Sequence, residues 1–476
     1  MRVRLRLKAS CSTISVALAL SCALPAQAQE TTPAETNAPE QTPATPAAPS
    51  SPATVPAPTP GAEAAADPMM AEFAKFEAID KLRPQGQTTN FPGAMDSVFH
   101  DVGGWRSRLA ESNLDLRGSS VTSFSKDVFD NGVPRSPQRF SGQKGTLSNA
   151  TSVTLSWKFA GEGEDIGQLT AGAQSLLTTW EQVGPTQVQL IQLNYYQSFG
   201  NRRVEVTAGF NTNIVNFVGI FAGGNPLLAG GLAATIPAQV GMSVAPAPAP
   251  TLNMQVNGNS GFYAKSGIQR SISQQGVLYE ARNNGIGLKL TRGRARPLLI
   301  QEVGVLRPAS PEGRQIWLRA GGMYNLSEYD RFDGAGTEKN WAAYVLADYQ
   351  VYKPSTTEPY RGVFAGFSAL FGSSRVNVYR RTYEARAYAI GMLPGRSTDS
   401  FTLTLGYNGF SKAAGRALEA VGQPTERSQW SISGLYSYHA GRGVYISPGL
   451  TYLENPSFVG NFKPVLNASL GLNVVL

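Results

Sequence analysis

Apolar and polar residues alternate along much of this chain, most plainly at its C-terminus. In FKPVLNASLGLNVVL, Leu466, Ala468, Leu470, Leu472, Val474 and Leu476 are apolar, with Asn467, Ser469, Gly471, Asn473 and Val475 between them. Only Val475 breaks the alternation. A strand turns successive side chains to opposite faces, so this period predicts one oily face and one small or polar face. Val153, Leu155, Trp157 and Phe159 repeat the pattern, as do Leu318, Ala320, Gly322, Tyr324 and Leu326. So do Trp341, Ala343, Val345, Ala347 and Tyr349; Phe401, Leu403, Leu405 and Tyr407; and Val444, Ile446, Leu450 and Tyr452. Aromatics gather near the ends of these runs, where interfacial girdles place them. Gly, Asn, Asp and Pro clusters such as DGAGTEKN and KPSTTEP punctuate them. One such strand suits a half-buried sandwich equally well. Many of them in an exported chain predict a closed all-β barrel with an outward apolar band.

Export is predicted by the first 28 residues. Arg2, Arg4, Arg6 and Lys8 precede the apolar run ISVALALSCAL and the site Ala26-Gln27-Ala28. This is a secretory signal of residues 1–28, too short in its apolar part to span a bilayer. Cys22 is a weak lipoprotein signal beside the downstream A-x-A site. Both cysteines, Cys11 and Cys22, lie in the signal, so the mature chain has no disulfide framework and no thiolate site. Removing four basic residues takes the formal charge from +8 to 37 − 33 = +4, which makes no case for nucleic acid.

Residues 29–68 are nearly all Pro, Ala, Thr, Ser and Glu. They bury too little to offset ordering entropy and are expected to form an extended linker. In 69–99, MMAEFAKFEAIDKLR predicts one short helix before a connector; Phe73, Phe76, Ile79 and Leu82 recur every three residues and Pro84 stops the run. Residues 100–476 hold about sixteen transmembrane strands of roughly ten residues with their turns. The uncharged stretch Val206 to Ala264 is broken by glycines and prolines and is no membrane helix. It is expected either to fold into the barrel and narrow it or to cap it outside.

Five blocks, in order, resemble the carbohydrate-selective porin family of the OprB type. They are VGGWRSRLAESNLDL (102–116), LNYYQSFGNRRVEVTAGFN (193–211), PYRGVFAGFSALFGSSRVN (359–377), GMLPGRSTDSFTLTLGYNGFS (391–411) and ISPGLTYLENPS (446–457). In the fourth, Gly391, Pro394, Gly395, Arg396, Asp399 and Ser411 stand where the family pattern has them. Two features depart from it: Leu476 replaces the usual terminal Phe, and the extension before residue 100 is additional. The resemblance implies a sixteen-stranded outer-membrane pore in lipid, a homotrimer as its assembly, and sugars or other small polar solutes as its cargo.

Candidate chemistry is sparse. The two histidines, His100 and His439, are too few for most metal hydrolases. His439 with Ser437 is better read as a polar strand end than as a catalytic pair. No cofactor, metal or catalytic residue is expected. In VYRRTYEARAYAIGM (378–392), Ala385, Ala387 and Ala389 are assigned to lipid, so Arg380, Thr382, Glu384, Arg386 and Tyr388 line the lumen. Charges of both signs at that spacing suit a wet wall with a transverse field, or a plain solvated face. Arg381 breaks the rule and is expected near the interface, snorkelling, unless the wall starts just after it. Trp317 and Arg319 share a lumen face, where an aromatic ring beside a planar donor could hold a sugar; a girdle Trp is the competing assignment. The function expected is passive, carbohydrate-selective diffusion of small neutral solutes through the outer membrane. The alternative is a barrel that anchors an N-terminal arm at work in the periplasm.

Overall fold

The computed structural model describes residues 68–476 except 89–92, 131–136, 162–163, 181–182, 184–185, 220–222, 224–234 and 285. The signal of 1–28 and all but the last residue of the 29–68 linker lie outside the described residues. Helix α1 (Pro68–Asp80) and helix α2 (Trp105–Glu111) precede sixteen strands. These are β1 (Leu114–Asp127), β2 (Thr146–Ala160), β3 (Gly167–Thr178), β4 (Thr186–Phe199), β5 (Val204–Asn211), β6 (Ala249–Asn257), β7 (Phe262–Arg270) and β8 (Pro297–Arg307). The second half comprises β9 (Ile316–Asp330), β10 (Thr337–Tyr352), β11 (Gly362–Gly372), β12 (Tyr379–Ile390), β13 (Ser400–Phe410), β14 (Ser428–Gly441), β15 (Val444–Glu454) and β16 (Val465–Val475). Each strand pairs antiparallel with its sequence neighbours, and β1 pairs with β16, so the sheet is a closed barrel. Closure matters because hydrocarbon offers the backbone no hydrogen-bond partner.

Period two decides the faces. Val153, Leu155, Trp157 and Phe159 are exposed on the outside, as are Leu318, Tyr324, Trp341, Val345, Leu403 and Leu470. Aromatic girdles mark both rims. Trp157, Phe159 and Tyr195 cluster near the rim where β1 begins and β16 ends, and Tyr383, Tyr407 and Trp430 near the far rim. Arg381 belongs to the far girdle, donating to the Tyr407 hydroxyl at 3.1 Å, as an interfacial snorkelling cation does.

The interior is less hollow than a polar inner face predicts. The segment between β5 and β6 folds inward through helix α3 (Thr235–Gln239) and brings Ile214, Phe217, Val218, Ile236, Val240 and Met242 to near-complete burial. Inward residues Leu298, Ile300, Met323, Tyr344, Leu346, Leu370 and Phe410 pack around it. The far half of the barrel thus contains an apolar core. On β8 to β10 both faces are oily at that end, one toward lipid and one toward the inserted segment.

At the rim where β1 begins and β16 ends, the entry to the barrel and its last strand are clamped together. Arg106 on α2, within the block 102–116, is 2% exposed. Its Nε donates to the His100 carbonyl (2.7 Å), Nη1 to the Leu116 carbonyl (3.0 Å), and Nη2 to Ser97 Oγ (3.1 Å) and the Leu476 carbonyl oxygen (2.8 Å). Burial pushes this guanidinium down to about 10, yet four oxygens hold it in place. The Leu476 amide donates to the Gly118 carbonyl at 2.8 Å, and the Leu476 side chain lies against Gly118 of β1. Arg106→Ala should therefore weaken the β1–β16 seam by about 3 kcal/mol, since a buried charged donor is lost. Arg106→Lys should recover part of this, and Leu476→Asp should lower the amount of assembled barrel. The heat-induced gel-mobility shift of each variant, and its level in outer-membrane fractions, measure these effects.

Candidate functional site

Strand register brings four of the five predicted residues onto adjacent levels of the inner wall. One cross-strand row runs Glu384–Ser368–Leu346–Arg319–Gly304–Tyr263 from β12 to β7. The next runs Arg386–Gly366–Asp348–Trp317. Together they make a belt of charged and aromatic groups on one half of the wall. Followed the other way, the same rows become Gly406–Ser431 and Thr404–Ser433–Thr451 on β13 to β15. In these two rows β13 to β15 carry no charge and are lined mainly by hydroxyls, with Leu453 beside Ser431.

Arg386 is fully engaged. Nε and Nη2 form a fork on Asp348 at 3.0 and 2.8 Å, Nη1 meets Glu384 (3.0 Å) and Ser368 Oγ (2.7 Å), and Nη2 also reaches the Ala347 carbonyl (3.3 Å). A guanidinium has five N–H donors, and this geometry uses them all on the wall. Tyr388 donates to Asp348 at 3.2 Å and stacks on Phe364 at 4.9 Å, nearly parallel. Gly366 makes the layout possible, because a Cβ there would collide with Arg386 and Asp348. The guanidinium lies flat along the wall instead of crossing the passage.

Trp317 and Arg319 face inward, each 3% exposed, so Trp317 is not a girdle residue. The Arg319 guanidinium covers the Trp317 ring, 3.4 Å from its centroid, and Nη2 donates to the Val218 carbonyl of the inserted segment at 2.8 Å. The stacking face that the sequence offers a sugar is thus occupied by the neighbouring cation. Arg319 keeps Nε and Nη1 buried without a protein partner. The Trp317 indole N–H donates to Tyr263 (3.2 Å), and Tyr263 and Tyr344 both donate to Glu302 (3.0 and 2.8 Å). Lys265 holds the Asn216 carbonyl at 2.9 Å.

Arg380 does not follow the simple alternation. A register shift between Tyr379 and Arg381 makes it the extra residue of a bulge, so Tyr379 rather than Arg380 packs into the interior with Phe410. Arg380 is half-buried above the belt, with its Nε unpartnered.

The inserted segment meets this belt at two described residues. Val218 is tied to Arg319, and Gly223 approaches the Tyr388 hydroxyl so closely that a Cβ would run into it. The uncharged stretch 206–264 is therefore three things: strands β5 and β6, the start of β7, and the inward segment between β5 and β6. Asp348, Glu302, Lys265, Tyr263 and Tyr344 were not legible as a group, since their meeting depends on register. The signal available was their shared parity with the inward residues of each strand.

A sequence profile of the carbohydrate-selective porin, OprB family matches residues 162–476. The chain belongs to this family. Its fold is similar to that of Pseudomonas putida OprB at high pH, with a TM-score of 0.67 at 13% identity over 80% of this chain and 98% of that one. The low-pH structure of the same porin gives 0.50 at 12% identity, with the same coverage. A comparison with curated proteins finds no match. Family membership makes the chain a carbohydrate-selective porin of the outer membrane, a channel through which small sugar solutes pass. The family block around Gly391 is a rim turn: Arg396 pairs with Asp399 (2.9 Å), and Asp399 accepts from the His439 amide (2.9 Å).

Two substitutions separate wall from loop. Arg386→Ala leaves Asp348 and Glu384 without their cation, and breaking such a buried pair costs roughly 3–5 kcal/mol locally. It should shift ion selectivity toward cations. Arg319→Ala removes the tie to Val218 and should raise conductance with a smaller change in selectivity. Single-channel recording with reversal potentials, with and without sugar, measures both; parent-like values for the two variants would make the belt a mere solvated face.

Proposed function

We propose that this porin passes small neutral solutes, sugars and polyols, by diffusion along its hydroxyl-lined wall. The observation that carries the reading is the division of the belt. Arg386, Arg319 and Lys265 balance Asp348, Glu384 and Glu302, three charges of each sign. Arg386 offsets one of the two carboxylate charges it bridges, and Arg319 and Lys265 hold the inserted segment. A balanced wall has little net pull on ions. The adjoining wall of β13 to β15, with Thr404, Ser431, Ser433 and Thr451, offers hydroxyls that exchange hydrogen bonds with a sugar and release it, as conduction requires. Trp317, Arg319, Glu384 and Arg386 act on selectivity mainly by shaping the passage and balancing its charge. No catalysis accompanies transit, and the chain reaches its membrane through the signal in residues 1–28. Swelling of proteoliposomes in neutral sugars of increasing size tests this reading against its alternative, a barrel that only anchors the arm. Sugars should permeate with a sharp size limit and faster than acids of equal size; impermeable vesicles would favour the anchor.

We also infer that copies associate through the outer face of β1 and β2, in keeping with a homotrimer in lipid. Supporting this, the outward positions Ser120, Thr122, Asn149 and Thr151 form a polar patch within the apolar band, below Phe124 and Leu147 and above Val153 and Trp157. Asn149 Nδ2 donates to Ser120 (3.0 Å) and Thr122 (2.9 Å), and Thr151 donates to Asn149 (3.0 Å). Polar side chains in a lipid-level contact can glue neighbouring walls, and small ones let the walls approach. Asn149→Leu should shift the native oligomer toward monomer in detergent, read by native mass measurement; an unchanged oligomer would place the interface elsewhere.

A further inference from the structure

The arm before residue 100 enters the barrel. From α1 the chain passes the neck at Asp80, whose Oδ1 accepts from Arg117 Nη2 (2.7 Å) and the Ala94 amide (2.9 Å). Residues on both sides of the excursion are thus held at one carboxylate, as in an Ω-loop. Between them the described residues 82–88 run along the inner wall of β2 to β5. The Leu82 carbonyl accepts from Ser156 Oγ (2.6 Å) and Gln168 Nε2 (2.8 Å). The Gln85 amide donates to Gln168 Oε1 (3.0 Å), and Gln85 Oε1 accepts from Arg202 (3.1 Å). Gln87 donates to Gln192 Oε1 at 2.7 Å. Gly86, at φ +75°, lies so close to the wall that a Cβ would stand 2.9 Å from Thr207 Oγ1. Thr88 then donates through both its amide and its hydroxyl to the Val215 carbonyl, each at 2.7 Å.

Two insertions from opposite rims therefore meet inside the barrel, at Thr88 and Val215. Residues 83–88 are half-buried, and the Gln85 Nε2 folds back to donate to the Arg83 carbonyl (2.9 Å), leaving its second N–H for a solute. We propose that Arg83–Thr88 is a second lining of the passage, contributed by the arm, and that its Gln85 and Gln87 amides help select uncharged hydroxylic solutes. This rests on the porin reading and deepens it. An amide both donates and accepts without charge, so it hydrogen-bonds a hydroxyl in either sense and gives an ion no full countercharge. The arm is then a working part of the pore rather than a tether that the pore carries. The bond from Thr88 to Val215 also makes it a positioning element for the inserted segment that Arg319 holds three residues further on.

The mature chain has no cysteine, since Cys11 and Cys22 lie in the signal, so single-thiol variants report cleanly. Gln85→Cys and Gln87→Cys channels in planar bilayers should lose conductance stepwise when a charged methanethiosulfonate reacts, and excess sugar should slow that reaction. Ala385→Cys, on the lipid face, is the control and should show no step. Thiols that are labelled by mass yet leave conductance unchanged, or that never react in the folded barrel, would overturn the inference. A second variant guards against a thiol that merely disturbs packing: Gln85→Gly with Gln87→Gly, which keeps the backbone, should raise conductance and weaken sugar block. Parent-like values in that variant would equally overturn it. A parent channel indifferent to every sugar would sink the solute reading instead, while the conductance steps would still decide whether the arm lines the passage.

Discussion

The structure depends first on the closing of β1 against β16. Hydrocarbon satisfies no backbone donor or acceptor, so a sheet there is viable only without edges. The register from Ser119–Val475 to Asp127–Asn467 supplies that closure, and each further pairing sets the parity of its own strand. From parity follows which side chains meet lipid, which meet the interior, and which rows of residues lie level with one another. Arg106 stands at the seam, where β1 begins and β16 ends. Its four acceptors come from the arm, from β1 and from Leu476, so one cation registers three stretches that are far apart in sequence.

Inside the ring the governing problem is charge. A carboxylate or guanidinium taken from water is costly unless paired. The belt on β7 to β12 solves this by pairing: Arg386 with Asp348 two strands away and with Glu384 on its own strand, and Glu302 with the hydroxyls of Tyr263 and Tyr344. Glycines opposite these groups let them lie flat. A passage bounded by such a wall has polarity without a strong net field. The hydroxyl side then meets solutes with bonds that each form and break readily. The inserted segment narrows the passage without introducing charge, and its apolar residues explain why β8 to β10 are oily on both faces at the far rim. That core is a small globular interior enclosed by a membrane sheet.

Much of this was legible in the sequence. The alternation at Trp341–Tyr349 and Phe401–Tyr407 carries strand, face and lipid contact together, because the period of a strand is a property of adjacent residues. The inward placement of Glu384 and Arg386 follows from Ala385 and Ala387 by the same logic. Arg380 was misplaced because a bulge shifts parity, and nothing local in Tyr379-Arg380-Arg381 announces one. Trp317 could be assigned inward by parity but not judged as a platform, since the Arg319 stack over it is a tertiary fact. The partners of Arg386 were out of reach for a related reason: Asp348 is two strands away. The interior core escaped because its apolar residues come from an uncharged insertion and from inward positions on many strands, and no single stretch shows both.

The arm shows how an added segment can become part of an existing pore. A chain entering a lumen must satisfy its own backbone groups there, and β2 to β5 meet it with amides and hydroxyls: Ser156, Gln168, Gln192 and Thr207. Such residues fix a peptide by many modest hydrogen bonds, each about 1 kcal/mol net, rather than by one strong charge pair. The strong pair is kept at the neck, where Arg117 holds Asp80. A further link holds the return of the arm to the rim: Asp96 bonds the His439 ring (3.1 Å) and the Gly443 amide (2.6 Å), and His439 in turn bonds Thr398 (2.9 Å). His439, the one histidine on the strands, is thus engaged on both ring nitrogens in fastening the arm to the β12–β13 turn. Strong anchors at the rim with weak, replaceable contacts inside suit a peptide that lines a passage. The contacts that face solute can yield locally while the ends stay fixed.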